Sequence, residues 1–131
     1  MNGFCAAVVG RTDEFAGIGI DAEHESCVTA NLWPHLFTAE ERAWLVQLPD
    51  EQRYRMAALL FSAKESFYKC QYQFAKEWLD FTSVRVTVEG DRWRVSPAST
   101  GSLDWIRDSF SGRFAFANQR VHTSMVVRAA R

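Results

Sequence analysis

One long segment limits the folds open to this chain. From Pro49–Asp50 to about Gln73 the sequence reads as a single helix, and nothing else in the 131 residues approaches that length. Its middle, Met56 to Phe67, is apolar enough to lie in a core. Yet FSAKESFYK, Phe61 to Lys69, sets Lys64, Glu65 and Lys69 on the same helix. Buried charges are costly unless they are paired or hold a metal. Either one face of this helix is wet, or its charges serve chemistry.

The rest of the chain supplies strands and short helices. Phe4 to Val9 fits a short buried strand, and the turn-like RTDEFAG follows. GIGIDAEHE then alternates. Ile18, Ile20 and Ala22 fall on one side, Gly19, Asp21, Glu23 and Glu25 on the other, so one face meets the core. Phe4–Arg11 and Gly17–Glu23 are expected to pair as a hairpin. Thr29 to Leu32 starts a short helix, interrupted near Pro34. Thr38 opens TAEE, a capping box, and a helix through Leu48. Ser83–Glu89 and Arg92–Ser96 form a hairpin turning at Gly90–Asp91, and Gly112–Asn118 with Val121–Arg128 form a second. Residues 97–111 carry no decisive pattern. The fold class is α+β, an antiparallel sheet packed against one long helix, and residues 1–131 make a single domain.

Composition narrows the function classes. Hydrophobic residues make up 47% of the chain, enough for a real core. No apolar run approaches the roughly 20 residues needed to span a bilayer, so no membrane association is expected. MNGFCAAVVGR lacks the basic start and long apolar stretch of a signal peptide, which points to a soluble, cytoplasmic protein. Three cysteines, Cys5, Cys27 and Cys70, without a CxxC, suit reduced thiols better than a disulfide framework or a zinc site. A net charge of −1 argues against nucleic acid as a partner. The charge is uneven: residues 1–50 hold two basic against eight acidic residues, residues 51–131 thirteen basic against eight acidic. The basic part could attract an anionic ligand or an acidic partner.

Asp21 and Glu23 are two apart on a strand, so both side chains leave one face, with Cα atoms roughly 6–7 Å apart. Such a pair suits a wet surface or a cation. On the helix, Glu65 has Phe61 and Lys69 at i−4 and i+4. An ordinary Glu65–Lys69 helix pair is one reading. The other has the helix crossing the GIGIDAE strand, so that Glu65 meets Asp21 and Glu23. Three carboxylates without histidine or thiol make a hard oxygen site, suited to magnesium or manganese. Lys69 would then supply counter-charge to a phosphate. Cys70 reads as a small buried hydrophobe. The five tryptophans read as core, and His24, His35 and His122 as surface or structural residues.

GIGIDAE, followed some forty residues later by FSAKESFYK, resembles the signature pair of the 4′-phosphopantetheinyl transferases, with KCQYQFAKEWLDF continuing the likeness. The likeness covers roughly residues 1 to 95. It is strongest to the C-terminal half of the large surfactin-type and enterobactin-type enzymes, which are pseudodimers of two similar halves. The resemblance implies transfer of phosphopantetheine from coenzyme A to a serine of an acyl or peptidyl carrier protein, leaving adenosine 3′,5′-bisphosphate, in siderophore or other secondary-metabolite biosynthesis. It further implies that Asp21, Glu23 and Glu65 hold Mg²⁺ against the pyrophosphate. Glu65 would take the serine proton, Lys69 contact the phosphates, and Lys64 support coenzyme A binding.

The motif S-[IV]-[ST]-H-x-x-G of the N-terminal half has no match here beyond Asn2-Gly3-Phe4. Three explanations compete: the chain is a truncated piece of a longer enzyme, it pairs with a separate N-terminal half, or it self-associates. Two other readings stay open on the residues: a non-catalytic module that binds carrier protein or metal, with Leu32, Trp33, Leu36 and Phe37 as docking surface, and a magnesium-dependent phosphohydrolase.

Overall fold

The structure is a computed structural model and describes residues 4–99, 103–106 and 110–130. Strand β1 is Phe15–His24. A 3₁₀ turn, Ala30–Leu32, runs into the short helix α1, Trp33–Leu36, in which Pro34 sits at the first turn rather than interrupting it. Helix α2 is Ala39–Gln47 and helix α3 Asp50–Tyr72. Two hairpins complete the described chain: β2, Val84–Glu89, with β3, Arg92–Pro97, and β4, Ser111–Ala117, with β5, Arg120–Arg128. All five strands form one antiparallel sheet in the order β1-β5-β4-β3-β2. Helix α3 lies across β1 and β5. The expected α+β class and the sheet packed on a long helix are both present.

Local signals were reliable. The capping box forms as written: Glu41 N–H donates to Thr38 Oγ1 at 3.2 Å, and Thr38 N–H donates to Glu41 Oε1 at 2.8 Å. Gly90 takes φ +61° in the first hairpin turn, and Asn118 and Gln119 take φ 53° and 63° in the second. The core gathers Phe37, Leu45, Leu59, Leu60, Phe67, Trp93 and Met125 between helices and sheet. Trp33 and Phe37 are buried in the core and Leu36 packs against it, so of the Leu32, Trp33, Leu36 and Phe37 set only Leu32 is exposed.

Two expectations about the first strand fail. Residues 4–10 form no strand and Val9 is 93% exposed. β1 pairs instead with β5, Asp21 opposite Thr123 and Glu23 opposite Val121. Val121, Thr123 and Met125 alternate inward along β5, whereas Cys5-Ala6-Ala7 offers only small side chains at the matching places. A partner that adds core contacts to the ladder wins.

The second failure is the choice of face. The side of β1 that meets α3 carries Gly17 and Gly19, while Ile18 and Ile20 are half-buried on the other side. A Cβ on Gly17 would overlap the carbonyl oxygen of Cys70, and one on Gly19 that of Ser66. Glycine lets strand and helix backbones touch, and Asp21 and Glu23 continue along the same face.

Candidate metal and phosphate site

Close approach of β1 to α3 brings Lys69 onto Asp21, with Glu23 and Glu65 within electrostatic reach. Lys69 donates to Asp21 Oδ1 at 3.0 Å and to the carbonyl of Ile20 at 3.1 Å. It does not take the helix pair with Glu65 that spacing allows. Asp21 is only 8% exposed at its side chain, and its second oxygen, Oδ2, is buried without a donor. Glu23 is pushed up to about 7, first by burial, then by the charge of Asp21 and a contact with Asp21 that only the protonated acid can make, and then by Glu65; Lys69 offsets part of this. Burial and Asp21 also raise Glu65, again against Lys69. Partial desolvation and then the same two carboxylates, Glu23 and Asp21, raise the Cys27 thiol to about 11, although the residue itself is exposed. Sequence alone had not linked Cys27 to this field.

One ammonium thus faces three carboxylates. The residues fit a small hard cation by their chemistry: all donors are oxygens, one is orphaned, and the charge is under-compensated. Among the described residues no three acidic, histidine or cysteine side chains are arranged around a metal position.

Lys64, expected to support coenzyme A binding, does not join the carboxylate cluster, though it lies in the wall of the slot beside Glu65. One residue before Glu65 is about 100° round the helix. Its ammonium donates to Glu41 Oε1 at 2.7 Å, to the carbonyl of Leu36 at 2.9 Å and to that of Phe81 at 2.6 Å. With a side chain 2% exposed and three donors used, it has none left for a ligand. Desolvation pulls its pKa down, and Glu41 opposes this. The importance of Glu41, whose Oε2 also accepts from Val86 N–H at 2.7 Å, was invisible beyond its capping role.

Two concavities flank the cluster. A groove of about 700 Å³ runs over the outer face of the sheet, lined by Asp21, Lys69, Arg113, His122 and Phe4 among others. A smaller slot of about 320 Å³ is largely apolar and bordered by Glu65, Tyr68, Trp78, Leu79 and Phe81. Tyr68 Oη is buried without a partner. Trp78 is 81% exposed and packs edge-on to Tyr72, so it is not the core residue expected. Cys70 is buried, its thiol pushed up to about 11 by burial, as a packing residue should be.

A family model described as the 4′-phosphopantetheinyl transferase superfamily matches residues 17–123. The chain belongs to this superfamily. Among curated members, it is 36% identical to the 4′-phosphopantetheinyl transferase PptT of Mycobacterium tuberculosis (strain ATCC 25618 / H37Rv) over 94 residues, covering 68% of this chain and 39% of that protein. It is 34% identical to the 4′-phosphopantetheinyl transferase Svp of Streptomyces mobaraensis over 137 aligned residues, covering 97% of this chain and 54% of that one. The chain thus spans about half, or less, of the length of these superfamily members. Its fold matches a holo-(acyl-carrier-protein) synthase from Bacillus anthracis in complex with CoA (3′,5′-ADP), with TM-score 0.65, 16% identity, and coverage of 89% of this chain and 99% of that one. A Chronobacterium ammoniagenes ACPS–CoA complex matches with TM-score 0.63 and 18% identity, covering 87% and 97%. At these identities the two structures show a shared fold.

Proposed function

We propose that this chain is the metal-bearing half of a 4′-phosphopantetheinyl transferase, which moves phosphopantetheine from coenzyme A to a serine of an acyl or peptidyl carrier protein in the cytoplasm. The observation that carries the reading is the convergence of Asp21, Glu23 and Glu65 beside Lys69, with Asp21 Oδ2 left without a partner. Mg²⁺ held there would neutralise pyrophosphate oxygens as the phosphorus–oxygen bond to the leaving nucleotide breaks. Asp21, Glu23 and Glu65 would supply the oxygens that hold it. Ionised Glu65 accepts the proton of the carrier serine as its oxygen bonds to phosphorus, and adenosine 3′,5′-bisphosphate leaves. Lys69, half exposed at the mouth of the groove, is released from Asp21 to meet phosphate charge. The apolar slot beside Glu65 suits the pantetheine arm, with Tyr68 Oη available to one of its amides.

The test combines purified protein, Mg²⁺, coenzyme A and a panel of apo carrier proteins, read by intact-mass spectrometry, with Glu65→Gln alongside. Expected is one added phosphopantetheine on a carrier, absent with the variant. Loading by Glu65→Gln at the wild-type rate would refute the assignment. So would failure of all carriers even after an N-terminal half from a superfamily relative is supplied in trans.

A further inference from the structure

Beneath the carboxylates lies a group of buried hydroxyls with no assigned role. Ser62 and Ser66 are fully buried and one helical turn apart on α3, and Thr123 of β5 is 3% exposed. Thr123 Oγ1 donates to the carbonyl of Ser62 at 3.0 Å. That commits its single proton, so it must accept from Ser62 Oγ at 2.8 Å and from Ser66 Oγ at 2.6 Å. The bonding capacity of the Thr123 hydroxyl is then filled, one proton given and two lone pairs used. The directions of all three protons follow.

The location of this group matters more than its strength. Thr123 is the cross-strand neighbour of Asp21, and Ser66 follows Glu65 directly. On the other side, the Ser66 carbonyl lies against Gly19. Strand β1 meets the helix through backbone contact at Gly17 and Gly19 and, toward the helix end, through bonds from the exposed Lys69 and Gln73 side chains to the carbonyls of Ile20 and Ile18; long exposed side chains constrain register only loosely. Strand β5 meets it through directional bonds to residues one turn apart, which set rotation and axial register. Apolar packing alone would hold the same helix at many nearby registers, because it is non-directional.

We propose that Thr123, Ser62 and Ser66 are positioning residues: a three-hydroxyl clamp that fixes the register of α3 on the sheet and so sets the distance of Glu65 from Asp21 and Glu23. The inference rests on the transferase reading for its purpose, but not for its structural content. Within the clamp, removing one partner strands the others, whereas replacing all of them with apolar groups of similar shape leaves nothing unsatisfied. Stability and positioning can therefore be separated.

The experiment compares the wild type, Thr123→Val, Thr123→Ser and the triple variant Ser62→Ala/Ser66→Ala/Thr123→Val. Denaturant unfolding gives stability, Mn²⁺ titration followed by the free-ion EPR signal gives affinity, and crystal structures give register. Thr123→Val is expected to be the least stable. Thr123→Ser should retain wild-type affinity. The triple variant should regain stability close to wild type, yet bind Mn²⁺ at least about tenfold more weakly, with Glu65 moved relative to Asp21 by about 1 Å, a displacement large enough to matter in a reacting site. A triple variant whose α3 superimposes on the wild type would overturn the clamp. If the wild type binds no Mn²⁺, the metal reading fails, while the crystal structures still decide the clamp: a displaced helix supports it, an unmoved one refutes it.

Discussion

Helix α3 carries two lysines five residues apart with opposite circumstances. Lys64 is buried, faces one carboxylate, Glu41, and spends its three donors on that oxygen and two carbonyls. Glu41 in turn accepts from two backbone N–H groups. Every group there is matched. Lys69 is half exposed and faces three carboxylates, one oxygen of which has no partner, with Glu23 raised to about 7. One site is closed by the protein itself, and the other is left with excess negative charge. Saturated charge builds a fold, and unsaturated charge in a concavity is where chemistry is to be sought.

The comparison is broken most severely at Lys64. Lys64→Met leaves Glu41 without its cation, and breaking a buried pair from one side costs about 3–5 kcal/mol. Urea unfolding should show most of the stability gone, and a loss under about 1 kcal/mol would contradict the structural role. Glu65→Gln should do the reverse. Carrier loading should fall at least about 100-fold, the scale of a lost general base. Metal-free stability should hold or rise, because a like charge has been removed.

The contrast in pH response is smaller. Glu23 is raised from an ordinary 4.5 to about 7 on folding. The folded state therefore holds the proton more tightly than the unfolded chain. That contribution is complete below about pH 4.5 and is lost as pH rises through about 7. Thermal melts in EDTA should show stability declining from about pH 5 to 8, and saturating Mg²⁺ should flatten the decline. Glu23→Gln should remove most of the slope. Smallest of all is the stability effect of Lys69→Met, because half-exposed ion pairs contribute about 0–1 kcal/mol. Its signature should be a raised KM for coenzyme A with a melting point near that of wild type.

The sequence was readable where the cause was local. The Thr38 capping box, the helix starting at Asp50 and the turns at Gly90–Asp91 and Asn118–Gln119 each depend on neighbours a few residues away, and each stands where the pattern put it. Strand pairing depends on distant partners. Phe4–Val9 had the composition of a strand, but β5 offered β1 more core contact. The buried face of β1 was misleading for a related reason. Isoleucines outrank glycines in hydrophobicity, but the helix backbone needed the space that only Gly17 and Gly19 leave. The candidate site was partly legible: Lys69 reaches Asp21, and Glu23 and Glu65 lie within electrostatic reach of that pair. That Lys64 turns to Glu41 and Lys69 to Asp21 is a matter of rotation about one helix axis, which spacing alone did not decide.

The most direct test of the contrast is calorimetric titration of the purified chain with Mg²⁺ near pH 7, in buffers of different ionisation enthalpy. Saturable binding with release of a fraction of a proton, the proton release disappearing in Glu23→Gln and the binding in Asp21→Asn, is the predicted result. A folded protein that shows no saturable binding, or that binds Mg²⁺ equally well in both variants, would contradict the claim that the carboxylates around Lys69 await a cation.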